Sequence, residues 1–403
     1  MHRIWEIGEV VNIISRMNRR RFVSIAGLPL LLRGASTHDL VIRNGRVIDP
    51  SQRLEVVTDV AIRGDKISAV GHNLRGAESI DATNKIVTPG LIDIHVHARD
   101  AALPPIEILK TGVTTMVDAG SRGADNIDQL IPVARQSPNR FRFLLNIARL
   151  GNNNPTGQGE FLQGVELANV DKARKAVMEK REWIVGMKAR LSRLAAADHD
   201  MEVLRRALQV ATPARIPLMI HIGDTASPLP QILALLRPGD IVTHVYARTR
   251  HGILDDDGKI LPEVFAARKR GVLFDFGNGR TEHWSWDVAQ AGLAQGFPPD
   301  TISSDLDLVG HTQQVFDLPK VMSKFLLMGM PLPQVIACAT TNAARTFREF
   351  KGLGSLKPGS RADIAVFDLG QGSHEFVDNY KNVKTGKQRL SATHVIAGGK
   401  RIL

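Results

Sequence analysis

The sequence has a single cysteine, Cys338, among 403 residues. One thiol excludes an intramolecular disulfide and any zinc site built from cysteines. Long apolar runs are also missing, since none reaches the ~18 residues of a membrane span, and stable membrane association is not predicted. Aromatic residues make up 5% and hydrophobic residues 43%, which is ordinary for a soluble α/β enzyme. The length fits one barrel-sized domain plus a smaller domain.

Long runs of like charge are absent as well. The net charge is +11, but basic residues mostly alternate with acids, as in DKARKAVMEKRE (171–182). This pattern is typical of a solvated helix face. Nucleic-acid binding is therefore not expected.

The N-terminal segment resembles an export leader. MNRRRFVSIAGLPLLLRGAS (17–36) has a basic start, an apolar run and small residues at its end. Its Arg19-Arg20 pair lies in a stretch that resembles the twin-arginine export motif. Met17 is a candidate start, because Glu6 and Glu9 are unusual for a leader. Residues 1–36 thus predict a periplasmic or exported protein; the alternative is a cytoplasmic protein with a disordered basic tail.

Both ends of the remaining chain have the texture of one small β domain. Short strand patterns with hairpin turns, such as Asn44-Gly45 and Gly64-Asp65, follow residue 38. Similar patterns return at ADIAVFDL (362–369) and SATHVIAGGKRIL (391–403). We predict a β-sandwich domain composed of residues 38–88 and 353–403.

Between these ends, residues 89–352 alternate apolar strand patterns with helical patterns. The strand patterns are LIDIHVH (91–97), TTMVDAG (114–120), RFLLNIA (142–148), IVGMKA (184–189), PLMIHIG (217–223), DIVTHVY (240–246), VLFDFG (272–277) and TISSD (301–305). Continuous hydrophobic strands separated by helices favour a parallel (β/α)₈ barrel of the TIM type.

Ionisable residues recur at the carboxyl ends of these strands, where such barrels place their active sites. They are His95, His97, Lys188, His221, His244 and Asp305. Spaced two apart, His95 and His97 share one strand face and can bind one ion. A buried Lys188 could instead form an ion pair or a Schiff base, but a Schiff-base site needs no set of four histidines and an aspartate. Lys188 is therefore interpreted as a metal ligand, which requires conversion of its ammonium to a carbamate by CO₂.

These motifs resemble the amidohydrolase superfamily, in its dihydroorotase-like branch, over residues 38–403. The resemblance rests on His-x-His after PGLIDIH, on the lysine, histidines and aspartate of strands 4, 5, 6 and 8, and on the tail ATTNAARTF…GLGSLKPGSRADIAVFD. VGMKARLSR, IPLMIHIG and GDIVTH followed by HGILD are similar to the amidohydrolase/deacetylase-like subset.

The resemblance implies a binuclear metal centre. His95, His97 and Asp305 would bind one divalent ion, and His221 and His244 the other. N6-carboxylysine at Lys188 and a hydroxide would bridge the two ions, with Asp305 as general base. Nitrogen and oxygen ligands favour zinc, with manganese or iron as alternatives.

Candidate substrate residues are less well determined. Arg99 lies where dihydroorotases carry a carboxylate-binding arginine, and Arg122 and Arg190 are rivals for the same role. Tyr246, Asn278 and His283 lie on loops at the catalytic end and remain unranked. Asp118 and Asp307 lie near the site and are interpreted as structural.

The leading hypothesis is a hydrolase that cleaves the acyl C–N or C–O bond of a small acylated acid. Cyclic-amide hydrolysis of the dihydroorotase or hydantoinase type is the second, and a non-catalytic scaffold is the third. The expected partner of the protein is a small-molecule substrate. The sequence also allows the chain to form a homo-oligomer.

Overall fold

The computed structural model describes residues 38–98, 103–152, 160–161, 163–312 and 316–403. The predicted leader, residues 1–36, and the candidate Arg99 lie outside the described residues. None of the helices in the described ranges is both long and apolar enough to cross a membrane.

Within those ranges the chain forms fifteen strands and twelve α-helices. The strands are β1 (His38–Asp49), β2 (Leu54–Arg63), β3 (Lys66–Gly71), β4 (Gly76–Asp81), β5 (Ile86–Pro89), β6 (Leu91–Val96), β7 (Val113–Gly123), β8 (Arg140–Asn146), β9 (Ile184–Arg190), β10 (Leu218–His221), β11 (Ile241–Thr243), β12 (Leu273–Asp275), β13 (Ile364–Val377), β14 (Val383–Ala397) and β15 (Lys400–Arg401). The helices are α1 (Pro105–Lys110), α2 (Leu130–Gln136), α3 (Val170–Glu179), α4 (Arg193–Ala196), α5 (Asp200–Ala214), α6 (Leu229–Leu235), α7 (Pro262–Arg270), α8 (Trp286–Ala294), α9 (Leu308–Thr312), α10 (Leu318–Leu327), α11 (Leu332–Cys338) and α12 (Thr341–Thr346).

Strands β6 to β12 pair in chain order as one parallel sheet. Every residue of β6 and β7 is buried, as expected of strands covered on both faces. The helices between them bury one stripe each. In α5 the buried apolar residues recur at helical spacing: Val203, Leu204, Ala207, Val210 and Ala211.

The eighth predicted strand closes the barrel, but it is irregular. Thr301 bridges to Asp275 of β12 and Leu306 bridges to Val96 of β6, both in parallel. Ladder pairing is interrupted because Asp305 has a left-handed backbone, with a φ of 49°. The (β/α)₈ prediction is confirmed, with seven regular strands and a segment that completes the ring.

The second sheet is mixed and is built from both chain ends. Its order is β15-β14-β13-β5-β1-β2-β3, and β4 also pairs with β1. The sheet encloses its own core, to which Val47, Val60, Ile80, Ile364 and Ile396 contribute. Its longest hairpin, β13–β14, turns at residues 378–382, which we call the hairpin tip.

Candidate metal centre

The predicted ligands converge at the carboxyl end of the barrel. A cavity of about 240 Å³ is lined by five of the six: His95, His97, Lys188, His221 and Asp305. The sixth, His244, is fully buried beside it, with its ring centroid 5.2 Å from that of His95 and 4.3 Å from that of His221. The structure thus brings together residues that are up to 210 positions apart, from His95 to Asp305.

The first half of the site contains His95, His97 and Asp305. Asp305 Oδ1 lies 3.2 Å from His95 Nε2 and 3.1 Å from His97 Nε2. The Asp305 N–H donates to the His95 carbonyl at 2.7 Å, so the irregular eighth segment is attached directly to β6. Burial alone would raise the Asp305 pKa, but charge and hydrogen bonds from His95, and hydrogen bonds from its other histidine neighbours, hold it well below its usual value. Asp305 is therefore ionised at neutral pH.

Buried hydroxyls and carboxylates orient these two histidines. His95 Nδ1 lies 3.1 Å from Thr243 Oγ1, which donates to Asp275 at 2.7 Å. His97 Nδ1 lies 2.8 Å from Ser121 Oγ, which donates to Asp118 at 2.7 Å. Asp118, interpreted from sequence as structural, thus acts on His97 through Ser121. Partners of this kind fix the ring orientation of metal-binding histidines.

The second half contains His221, His244 and a residue that sequence reasoning did not rank, His283. The His283 ring is stacked on His244 at a centroid distance of 4.0 Å and lies 5.1 Å from His221. Burial lowers the pKa of all three imidazoles, and for His221 and His244 it does so strongly. They are therefore neutral near pH 7, which is the form that binds metal.

His244 has the arrangement expected of a ligand. Its Nδ1–H donates to the Gly277 carbonyl at 2.8 Å, which leaves Nε2 as the lone-pair nitrogen. That buried Nε2 has no hydrogen-bond partner among the described residues. A buried acceptor without a partner is costly unless something else satisfies it, so the atom fits a metal ion.

Lys188 lines the same cavity and contacts the first half. The side chain is 1% exposed, and its Nζ lies 3.3 Å from His95 Nε2 and 3.4 Å from Met219 Sδ. Within the described ranges, no carboxylate oxygen lies within 4.0 Å of this amine. Desolvation lowers the Lys188 pKa to about 7. No strand-end ion pair is therefore formed with the residues that the structure describes, and a large fraction of the amine is neutral.

Gly120 makes room for this lysine. Its φ is +86°, and an added Cβ would lie 2.7 Å from Lys188 Cβ and Cγ. Any side chain at Gly120 would displace the lysine from its contact with His95.

The donor atoms are close enough to bind metal ions. One candidate group contains His95, His244 and Asp305, and another contains His221, His244 and His283, with the ligand atoms of each group within 4.8 Å of one another. All donors are imidazole nitrogens or carboxylate oxygens, a set that suits zinc.

The arginine candidates differ in position. Arg190 lines the cavity, with its Nη1 3.2 Å from Glu160 Oε2. Arg122 is 8% exposed and is not among the described residues that line the cavity. A second cavity arginine, Arg280, was missed; its Nε donates to Asp307 at 2.9 Å. The sequence could have indicated Arg280 as a cavity residue, because it lies in the loop after β12, at the catalytic end of the barrel.

The other loop residues that were left unranked have structural roles. The Tyr246 hydroxyl donates to the Phe297 carbonyl at 2.7 Å inside the core. Asn278 Oδ1 accepts a hydrogen bond from Lys324 Nζ at 2.7 Å. Only His283 of the three lines the cavity, where its Nδ1 lies 3.1 Å from Asp305 Oδ2.

Known proteins resemble this chain over most of its length. A family model described as the amidohydrolase family matches residues 86–402. A deacetylase of Enterococcus faecalis is 31% identical over 379 residues, which cover 90% of this chain and 98% of the relative. A crystal structure described as an adenine deaminase superposes with a TM-score of 0.82 at 31% identity, covering 90% of this chain and 99% of its own. A crystal structure described as a dihydroorotase superposes with a TM-score of 0.81 at 28% identity. The match covers 90% of this chain and 98% of the chain in that structure.

Proposed function

We propose that this chain, which belongs to the amidohydrolase family of hydrolases, removes an acyl group from a small acylated acid at a centre of two divalent metal ions. The observation that carries the proposal is the buried Lys188, which has no carboxylate partner among the described residues and lines the same cavity as two overlapping groups of metal-binding side chains. The proposed ligands are His95, His97 and Asp305 at one position and His221 and His244 at the other, with carboxylated Lys188 between them. Zinc is the proposed metal.

The environment of Lys188 supports the carbamate. With its pKa near 7, the neutral amine has a free lone pair that attacks CO₂. The new N–C bond forms as the nitrogen loses a proton, which leaves an anionic group with two oxygens. That anion would supply the negative charge that the histidines do not, and it would do so in a buried position where unbalanced cations are costly.

Asp305 is the proposed general base. When bound, the two ions would acidify a water and polarise the acyl carbonyl of the substrate. Asp305 is ionised, lines the cavity and lies against both halves of the site. It can accept a proton from the attacking water and pass it to the leaving nitrogen or oxygen.

Arg190 is the proposed anion-binding residue. It follows Lys188 on β9 and lines the same cavity. A carboxylate of the substrate would receive charge-assisted hydrogen bonds from its guanidinium. The cavity of about 240 Å³ is smaller than most drug-sized ligand sites, which favours a small acid.

A cyclic-amide hydrolase is the second candidate. The similarity to the structure described as a dihydroorotase, which extends over 90% of this chain, favours it. The same ionised Asp305 and cavity arginines would serve a cyclic substrate. A non-catalytic scaffold is not favoured, because every predicted ligand is present and buried or nearly buried at the cavity.

A hydrolysis screen tests the proposal. The zinc-loaded protein would be assayed with N-acetyl amino acids, O-acetyl hydroxy acids, their methyl esters, dihydroorotate, hydantoins and adenine. We expect the free acids to be hydrolysed faster than their methyl esters, which lack the anion. Asp305→Asn protein, purified in parallel, is the control for contaminating hydrolases. Turnover of dihydroorotate or hydantoins alone would establish the cyclic-amide candidate, and turnover of adenine alone would overturn both.

The role of Arg190 can be tested with the best acid from that screen. Arg190→Gln should raise KM by about 10- to 100-fold, the scale of a lost charge-assisted hydrogen bond, with a smaller change in kcat. Arg122→Gln is the matched control, since Arg122 does not line the described cavity. Equal KM values in both variants would contradict an Arg190 clamp.

We also propose that residues 17–36 direct export through a twin-arginine route. Replacing Arg19 and Arg20 by lysines should then keep the protein inside the cell. Cell fractionation measures this, and an unchanged periplasmic fraction would contradict the proposal.

A further inference from the structure

The hairpin tip, residues 378–382, lies against the loop that carries His283. We call residues 276–285, between β12 and α8, the His283 loop. The two segments are about a hundred residues apart in the chain, and the hairpin belongs to the second sheet rather than to the barrel. A segment of the second sheet thereby contacts a loop at the catalytic face of the barrel.

Asn379 makes the central contacts. Its Oδ1 accepts hydrogen bonds from the N–H groups of His283 at 3.0 Å and Trp284 at 3.2 Å. Its Nδ2 donates to the Gly279 carbonyl at 3.3 Å. One side-chain amide therefore holds the loop on both sides of its turn.

The His283 loop needs an external restraint. Gly277, Gly279 and Glu282 all have left-handed backbones, with φ values of 54°, 55° and 57°. Such a conformation is unfavourable for glutamate, so the loop does not hold this shape by local preference alone. The chain folds back so tightly that a Cβ on Gly279 would lie 1.7 Å from His283 Nδ1.

Neighbouring bonds hold the hairpin tip itself. Asp378 accepts hydrogen bonds from Trp286 N–H at 3.2 Å and from Tyr380 N–H at 2.9 Å. Lys324 Nζ donates to the Val377 carbonyl at 3.0 Å and to Asn278 Oδ1 at 2.7 Å. At the other end of the tip, Trp286 Nε1–H donates to the Asn382 carbonyl at 3.0 Å. Because both ends of the tip are hydrogen-bonded, the position of Asn379 does not depend on its own contacts with the His283 loop.

We infer that Asn379 is a positioning residue for the hydrolytic reaction, acting by holding His283 against Asp305. His283 Nδ1 lies 3.1 Å from Asp305 Oδ2, and His283 is one of the residues that line the cavity. The orientation of the proposed base thus depends on a residue that does not line the described cavity. This inference rests on the proposed role of Asp305.

The test compares Asn379→Ala, Asn379→Asp and a control in the zinc-loaded protein. Asn379→Ala should lower kcat by about 10- to 100-fold, the scale of a displacement of about 1 Å, and leave KM nearly unchanged. Asn379→Asp keeps an acceptor for both N–H groups and should retain kcat within about fivefold of the wild type. The control is Asn342→Ala, which removes a 2.9 Å side-chain bond to the Asp300 carbonyl away from the cavity. It should leave kcat unchanged.

A double-mutant cycle separates positioning from general destabilisation. If Asn379 acts through His283, adding Asn379→Ala to His283→Ala should cause little further loss of kcat. Fully additive losses would overturn the inference, as would equal losses from Asn379→Ala and Asn342→Ala.

A crystal structure of Asn379→Ala gives a readout that does not depend on the substrate. We expect the distance from His283 Nδ1 to Asp305 Oδ2 to lengthen by 1 Å or more from 3.1 Å. An unchanged distance would overturn the inference even if the proposed activity is confirmed. A lengthened distance in a protein that hydrolyses none of the acids would instead count against the proposed function alone.

Discussion

The two halves of the candidate metal centre are held in place in different ways. In the first half, His95 and His97 each contact a hydroxyl that is bonded to a buried carboxylate, all within the barrel. In the second half, His244 is oriented by the backbone carbonyl of Gly277, and the loop carrying His283 is held by Asn379 of the other sheet. The first half is thus rigid through side chains of the strands, whereas the second depends on the shape of one loop.

Loss of Lys188 should have the largest effect. Lys188→Ala should lower kcat at least ~1000-fold and release at least one metal, because the proposed bridging anion and its several kcal/mol of charge stabilisation would be lost. Assay and elemental analysis of the variant measure both. Lys85→Met is the control, since Lys85 pairs with Asp368 of β13 at 2.7 Å and does not line the described cavity. It should keep both metals. Full metal content in Lys188→Ala would contradict the bridging role.

Asp305 contacts both halves, and its replacement should have the next largest effect. Asp305→Asn should lower kcat by at least ~100-fold, the scale of a lost general base. The steady-state rate with the best acid measures this. Asp307→Asn, which alters the pair with Arg280, is the comparison and should change kcat far less. An unchanged rate in Asp305→Asn would exclude Asp305 from proton transfer.

The side-chain support of the first half can be weakened selectively. Ser121→Ala removes the hydroxyl between His97 and Asp118 and should weaken metal binding at the first position by about 10- to 100-fold. Competition with a chelator measures the affinity. Thr340→Ala, which removes another buried hydroxyl whose 2.7 Å bond goes to the Ile336 carbonyl, should have no effect on it. Equal chelator sensitivity of the two variants would show that the Ser121 contact does not distinguish the halves.

The smallest predicted effect is a pH dependence that reports the second half. Burial holds the pKa of His221 and His244 well below 6.5, so between pH 7 and 5 the unfolded metal-free chain takes up protons that the folded chain does not. These two histidines should therefore contribute a loss of stability as the pH is lowered from 7 to 5, whereas Asp93, whose pKa burial raises to about 7, and His95, whose pKa is also raised, contribute in the opposite direction. Asp305, with its pKa below its usual value of 3.8, should contribute a further loss only below about pH 4.

This dependence can be measured as the melting temperature of metal-free protein at pH 5, 6 and 7. His221→Asn removes one of the two histidines. The difference in melting temperature between pH 7 and pH 5 should therefore change by a few degrees relative to the wild type, in the direction of a smaller loss at pH 5. An identical decline in the wild type and the variant would show that these histidines do not control it.

The sequence predicts the first half better than the second for a physical reason. His95 and His97 lie two apart on one strand, and the strand periodicity of two places them on one face. Lys188, His221, His244 and Asp305 could also be predicted, because each follows an apolar strand pattern and parallel strands end at one edge of the barrel. Strand bounds differ by a few residues, as in β11, where DIVTHVY (240–246) predicts seven residues and the strand spans Ile241–Thr243.

His283 and Asn379 could not be predicted in this way. His283 lies on a loop whose conformation depends on left-handed backbones and on a contact about a hundred residues away in the chain. No periodicity in one sequence reports a side-chain contact across that distance. Arg190, one of the three predicted arginines, lines the cavity, whereas Arg280 was not predicted, since its position in the cavity depends on the same loop.

The central claim is that the cavity between the two halves is a two-metal centre. Elemental analysis of purified protein, as moles of divalent metal per chain, tests it most directly. The account predicts a value close to two, with zinc as the main metal. A value of one or less after saturation with zinc would contradict it.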